Sequence, residues 1–342
     1  MAERLKQLTR WLREDIGLAH FEITPASSDA SFRRYFRVRY DGHTRIVMDA
    51  PPAQEDCRPF IHIAQTLLGL GLHVPTIFKA DLEQGFLLLS DLGSRQYLPE
   101  LNEASVEQLY GAALEALLVM QTRCDIVSAA LPPYDHALLM REMGLFHDWF
   151  VQQHLGLELT ADQSAALQHT YQLLAASALE QPQVCVHRDY HSRNLMITEQ
   201  HNPGILDFQD AVIGPITYDL VSLLRDCYIS WPPERVYAWA TQYHGRAYAA
   251  GLLKEHDSER FLRWFDWMGI QRHLKAIGIF ARLNIRDGKP GYLKDIPRTL
   301  GYIVAVSRRY QELAPLQGLL REVIVPGLSR SPIALGGQHG LA

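Results

Sequence analysis

His187-Arg188-Asp189-Tyr190-His191-Ser192-Arg193-Asn194, followed by Ile205-Leu206-Asp207-Phe208, decides the fold. The stretch fits the pattern H-R-D-x-x-x-x-N, with a D-F element downstream. In-line phosphoryl transfer needs a carboxylate to orient and deprotonate the attacking hydroxyl, and oxygen ligands to hold magnesium on nucleotide phosphates. Asp189 is the candidate base. Asn194 and Asp207 are the candidate metal ligands.

The flanking residues agree. Val184-Cys185-Val186 is a short apolar run suited to a strand that delivers the loop. Leu195-Met196-Ile197 and Gly204-Ile205-Leu206 frame a turn containing Asn202-Pro203-Gly204, a hairpin-like arrangement. Asn194 then sits where the first strand begins and Asp207 where the second ends, which brings both to one metal.

Working outward, residues 1–18 read as an amphipathic helix, with Leu5, Leu8, Trp11, Leu12 and Ile16 at helical spacing and no apolar core of a signal peptide. From Phe21 to Leu92 the pattern is strand-like. Phe36, Val38 and Tyr40 share one face, Asp41-Gly42 makes a hairpin turn, and Thr44 to Met48 returns. Pro59 to Leu70 is helical, and Thr76–Lys79 and Phe86–Leu89 are further strands. After Gly93 the chain is mostly helical: Ser105–Thr122, His136–His154, Ala161–Ala178, Asp219–Tyr228, Glu234–Ala250, Glu259–Leu283 and Pro297–Glu312. The expectation is an α+β, bilobal chain. Residues 1–92 form a small antiparallel β N-lobe with a leading helix, 93–328 a large helical C-lobe carrying the catalytic loop, and 329–342 a Gly-, Ser- and Pro-rich tail without structure.

Composition bounds the partners. The 342 residues suffice for a core split over two lobes. With 47% hydrophobic and 21% charged residues, the chain reads as a soluble globular protein. A net charge of −5 without a basic run argues against nucleic acid and anionic membranes as main partners. No segment is apolar and long enough to span a bilayer. Cys57, Cys124, Cys185 and Cys227 show no C-x-x-C spacing, which suits a reducing cytoplasm.

Other stretches offer binding roles. Ser27-Ser28-Asp29-Ala30-Ser31-Phe32-Arg33-Arg34 sits between two strands, where kinases use a glycine-rich phosphate loop. It has no glycine, but Ser28 and Ser31 are small, and Arg33 or Arg34 supplies donors. Met48 occupies the slot of the usual strand lysine. Either an arginine, Arg33 or Arg34, replaces that lysine or the metal carries more of the charge. Glu55 is then the candidate acidic partner. Backbone groups from Ser90 to Leu92 suit an adenine edge. Thr217 reads as a helix N-cap, Asp219 is placed to accept hydrogen bonds from the catalytic-loop backbone, and His187 is read with it as supporting the loop. Asn284, Arg286, Asp287 and Tyr292, crowded at a helix end, suit a sugar or an anion. Trp231, Trp239, Trp264 and Trp267 read as packing residues.

On these residues the chain resembles the aminoglycoside phosphotransferase and choline kinase superfamily, from about Phe21 to Tyr310. Ser-Asp-Ala-Ser-Phe-Arg-Arg-Tyr at 28–35, Met-Asp-Ala-Pro-Pro at 48–52, Leu-Asp-Phe-Gln-Asp at 206–210 and Arg-Asp-Gly-Lys at 286–289 are similar to the anomeric amino-sugar kinases of bacterial peptidoglycan recycling. The resemblance implies a protein-kinase-like fold and ATP- and Mg2+-dependent phosphorylation of the C1 hydroxyl of N-acetylmuramate and N-acetylglucosamine. It also implies a uridylyltransferase that takes the product. Met48 departs from the superfamily's lysine but suits this subgroup. From the residues alone, a kinase for another small alcohol (an aminoglycoside, choline or homoserine) stays open, as does a pseudokinase-like nucleotide-binding module.

Overall fold

The structure is a computed structural model that describes residues 2–28 and 32–331. The chain divides into two compact units. One comprises Met1–Ala116 and Arg193–Asp210, the other Leu117–Ser192 and Ala211–Ala342.

The first unit opens with α1 (Ala2–Glu14), followed by β1 (Glu22–Ser28), β2 (Arg34–Tyr40), β3 (His43–Asp49), α2 (Arg58–Gly69), β4 (Ile77–Asp81) and β5 (Phe86–Ser90). The five strands form an antiparallel sheet in the order β1-β2-β3-β5-β4. Asp41 and Gly42, at φ 48° and 75°, close the β2–β3 hairpin in the left-handed region that such two-residue turns require. Leu8, Trp11 and Leu12, at i, i+3 and i+4 on α1, pack against Val38, Val47, Phe86 and Leu88 of the sheet. Burying each such side chain contributes about 1.5–3 kcal/mol. Gly85, at φ 72°, has no room for a side chain, because a Cβ there would stand 1.9 Å from the Ala50 carbonyl oxygen.

Asp49 ends β3 fully buried. Its carboxylate accepts Arg4 Nε at 3.1 Å, and Arg4 Nη2 and Arg34 Nη2 in shorter contacts. Two guanidinium groups therefore offset the cost of burying the charge and latch α1 to the sheet.

After β5 come α3 (Tyr97–Glu100) and α4 (Val106–Arg123), the latter running from one unit into the other. The second unit continues with α5 (His136–Leu145), a π-helical stretch Phe146–His154, α6 (Ala161–Leu179) and β6 (Gln183–Val186). The first unit is completed by β7 (Leu195–Met196) and β8 (Gly204–Ile205), paired Leu195 to Ile205 and Met196 to Gly204. The remainder is β9 (Val212–Pro215), α7 (Tyr218–Leu224), α8 (Pro233–Ala249), α9 (Ser258–Asp287), α10 (Ile296–Ser307), α11 (Ala314–Leu319) and α12 (Val325–Ser329). The 30-residue α9 is the spine of this unit. It passes the end of α5 so closely that a Cβ at Gly278 would meet the Leu145 backbone at 2.3 Å.

The sequence reading needs four corrections here. Residues 212–215, given no element in the sequence analysis, are a strand paired with β6. α7 ends at Leu224 rather than Tyr228, because the Asp226 carboxylate takes the Tyr228 N–H at 3.0 Å. α10 ends at Ser307 rather than Glu312. α9 runs on to Asp287, where Gly288 at φ 63° caps it. Ser329 closes α12, and residues 332–342 of the expected tail lie outside the described residues. All four cysteines are buried free thiols.

Candidate active site

In the second unit, β6 leads directly into His187. Arg188 follows at φ 75°, a conformation that costs on the order of 1–3 kcal/mol outside glycine. The buried Asp219, in the first turn of α7, holds that bend. Its Oδ2 accepts His187 N at 2.6 Å and its Oδ1 accepts Arg188 N at 3.0 Å. Burial pushes the Asp219 carboxyl up to about 7, against the pull of the two N–H donors. Thr217 precedes it but makes no cap, its hydroxyl instead donating to Gln181 Oε1 at 2.7 Å. At the other end of the loop, Asp226 Oδ2 accepts Ser192 N at 3.0 Å and Ser192 Oγ at 2.5 Å. Two acids thus pin the six-residue bend from His187 to Ser192 at both ends.

Asp189 lies between these anchors, half-buried, its own N–H donating to His187 Nδ1 at 3.2 Å. Burial pushes its carboxyl up, but Lys275, His191, Arg272 and His187 outweigh it and hold the group below the usual carboxylate range. Asp189 is therefore an ionised acceptor at neutral pH. Such a weak base suits a reaction whose transition state asks more for positioning of the hydroxyl than for early proton removal. Two of these groups, Lys275 and Arg272, lie on α9, and Lys275 belongs to a buried network with Glu142 of α5. Glu142 joins Arg188 and Tyr134 Oη in short contacts and Lys275 Nζ at 3.2 Å, and Lys275 donates to Tyr218 Oη at 2.9 Å. Sequence reading did not single out Arg272 or Lys275. The signal was present, since two cations stand three residues apart within an otherwise mostly apolar helical run.

In the first unit, Asn194 immediately precedes β7 and its carbonyl accepts Leu206 N at 2.9 Å. That pairing brings Asn194 beside Asp207, which sits at φ 64°. Asn194 Nδ2 donates to Asp207 Oδ2 at 3.2 Å, and Gln209 Nε2 donates to Oδ1 at 2.7 Å. Phe208 anchors the bend by packing fully buried against Phe60 of α2, ring centroids 4.9 Å apart. Gln209, quoted in the sequence only within the 206–210 motif, is given no role there. Among the described residues no group of three or more His, Cys, Asp or Glu side chains is arranged to hold a metal. One carboxylate and one amide, both hard oxygen donors, nevertheless fit magnesium, which typically takes its remaining ligands from water and phosphate.

The two candidate arginines have different partners. Arg33 Nη2 lies 3.0 Å from Glu55 Oε2, while Glu55 Oε1 accepts Phe32 N at 3.2 Å. Burial works to lower the Arg33 pKa, but Tyr35, Glu55, Asp210 and Asp207 together raise it. Arg34 is bound to Asp49, and Met48 is fully buried. Ser28 is the last residue of β1; its side chain, and all of Ser31, lie outside the described residues. The Ser90 N–H is engaged by Thr76 O at 2.9 Å and its Oγ accepts Thr76 N at 2.9 Å, while Leu92 is buried.

Asn284, Arg286 and Asp287 form the last turn of α9, where Arg286 and Asp287 pair with each other at 2.8 and 2.9 Å. Tyr292 lies elsewhere. It stacks on Phe280 at 5.7 Å, Phe280 meets Tyr228 at 6.2 Å, and Tyr228 meets His191 of the catalytic loop at 5.3 Å. Tyr292 is thus joined to the loop by an aromatic ladder. Trp264 and Trp267 are buried, and Trp231 packs edge-on against Trp239.

A small antiparallel sheet, a helical unit and the H-R-D-x-x-x-x-N loop define a phosphotransferase of protein-kinase-like architecture. The chain belongs to the phosphotransferase enzyme family, whose model matches residues 22–253. It is 52% identical over 299 residues to an N-acetylmuramate/N-acetylglucosamine kinase of Pseudomonas aeruginosa, covering 87% of this chain and 88% of that protein. It is 50% identical over 330 residues to the kinase of the same name from Pseudomonas putida, covering 94% and 96%. Among solved structures it superposes on the GDP complex of aminoglycoside 2'-phosphotransferase-IIIa with a TM-score of 0.60 at 14% identity, over 90% of this chain and 99% of that one.

Proposed function

We propose that this chain is an ATP-dependent sugar kinase that phosphorylates the anomeric C1 hydroxyl of N-acetylmuramate and N-acetylglucosamine. The observation that carries the reading is the identity of 52% and 50%, over most of both chains, to kinases named for those two sugars. The geometry of the loop supports it. Asp189 orients the C1 hydroxyl and accepts its proton. Asp219 and Asp226 hold the loop that presents it. Asn194 and Asp207 hold magnesium, which supplies neutralisation of the phosphate charge. Arg33, kept in place by Glu55, contacts the nucleotide phosphates, and the chain around Ser90 and Leu92 receives the base. The C1 hydroxyl belongs to a hemiacetal and is more acidic than the primary alcohol, so a weak carboxylate base suffices there. The 1-phosphate is the form that a uridylyltransferase of peptidoglycan recycling in the cytoplasm takes up.

Purified protein, ATP, magnesium and either sugar should give a product whose phosphorus signal couples to the anomeric proton. Methyl N-acetylglucosaminide, with C1 blocked, should give none. A 6-phosphate, or turnover of the methyl glycoside, overturns the anomeric assignment.

A further inference from the structure

Among the described residues, three arginine or lysine side chains are less than a tenth exposed: Arg225, Arg272 and Lys275. Arg225 contacts Asp266 at 2.5 Å and Lys275 contacts Glu142 at 3.2 Å. Arg272, 5% exposed, has no carboxylate of the described residues within 4.0 Å. Its one hydrogen bond runs from Nη1 to the Cys227 thiol at 3.6 Å, a weak acceptor. None of its nitrogens is among the sealed polar atoms that lack a partner, so its other N–H groups face accessible space. A guanidinium held this deep with no carboxylate in contact is costly, and an anion brought in from outside would offset that cost.

The location narrows which anion. Cys227 lies between Asp226, which holds Ser192, and Tyr228, whose ring meets His191. Arg272 therefore rests on the segment that carries the catalytic loop. Arg298 Nη1 adds a second cation there, on the Cys227 carbonyl at 2.8 Å. Asp189 and Asp226 both act on the Arg272 charge, raising its pKa against burial. The acceptor hydroxyl has to stand beside Asp189, so the group Arg272 meets belongs to the acceptor.

We propose that Arg272 is a specificity residue of the acceptor site that binds a substrate carboxylate, the lactyl group that N-acetylmuramate carries on O3 and N-acetylglucosamine lacks. The inference rests on the kinase reading above. Guanidinium matches a carboxylate with two parallel N–H···O bonds, which an ammonium does not reproduce. N-acetylglucosamine binds the same site without this contact.

The test compares Arg272→Gln, Arg272→Lys and Cys227→Ser on both sugars. Arg272→Gln should lower kcat/KM for N-acetylmuramate roughly 10- to 100-fold more than for N-acetylglucosamine, mostly through KM. Arg272→Lys should fall between. Cys227→Ser should leave the ratio of the two sugars as it is. Calorimetry without nucleotide should show the same selective loss of N-acetylmuramate binding. An equal loss on both sugars through kcat assigns Arg272 to the transferred phosphoryl group instead, and an unchanged ratio with a lowered melting point makes it structural. Either result overturns the proposal. If Arg272→Gln does not fold, the Arg272→Lys ratio decides. If the wild type phosphorylates neither sugar, the kinase reading fails, and the calorimetric comparison still decides for Arg272.

Discussion

Arg33 Nη2 stands 3.0 Å from Glu55 Oε2, so the glutamate that follows β3 has a cationic partner although the strand slot holds Met48. Arg34, one residue on, is turned to Asp49 instead. Arg33, which also lies in the field of Asp207 and Asp210, is therefore the arginine we propose for the role of the strand lysine.

Arg33→Ala should raise the KM for ATP about 10- to 100-fold, the equivalent of one charge-assisted hydrogen bond to phosphate, with little change in the KM for sugar. Arg34→Ala should act on stability. It leaves Asp49 with Arg4 alone and should cost about 1.5–3 kcal/mol in urea denaturation. The opposite pattern, ATP kinetics moving with Arg34 only, removes Arg33 from the clamp.

Asp189→Asn keeps the shape of the loop and removes the proton acceptor. We expect kcat to fall at least ~100-fold while nucleotide affinity stays within a few-fold. Near-normal turnover takes Asp189 out of the base role.

Asp207→Ala should abolish turnover, and raised magnesium should not restore it. Gln209→Ala removes only the 2.7 Å donor to Asp207 Oδ1, so it should raise the magnesium concentration needed for half-maximal rate and leave the maximum largely intact. Full activity of Asp207→Ala places the metal elsewhere.

The Asp219 carboxyl, raised to about 7 in the folded chain from an ordinary 3.8, binds its proton more tightly when folded than when unfolded. Its contribution to stability is complete below about pH 3.8 and is lost as pH rises through 7. Asp219→Asn should therefore destabilise most at low pH, and the gap to wild type should narrow by up to ~1.4 kcal/mol per pH unit on the way to neutrality. A gap independent of pH from 5 to ~7.5 means that Asp219 is ionised throughout.

Much of this was legible in the chain because the deciding signals were local. The H-R-D loop, the Asp41-Gly42 turn and the spacing of Leu8, Trp11 and Leu12 each lie within a few residues. What stayed hidden depends on partners distant in sequence. The buried Asp49 needs Arg4, 45 residues away, and Glu142 needs Arg188, 46 away. β9 exists because β6 pairs with it, and a Gly-Pro dipeptide read alone points to a turn. The ends of α7 and α10 were misplaced because polar side chains such as Asp226 stop a helix without any change in apolar periodicity.

The four cysteines turn the fold into its own reporter. In the folded chain every thiol is buried, and burial pushes Cys57 up to about 11 and raises Cys227 as well, whereas the hydrogen bond with Cys185 lowers Cys124, so that burial itself keeps reagents from that thiol. Unfolding returns all of them to water with ordinary acidity. A maleimide or disulfide dye thus marks molecules that have opened and passes over those that have not. It does so in both units, since Cys57 belongs to one and Cys124, Cys185 and Cys227 to the other. Peptide mapping of the labelled sites then tells which unit opens first, with no probe added to the sequence.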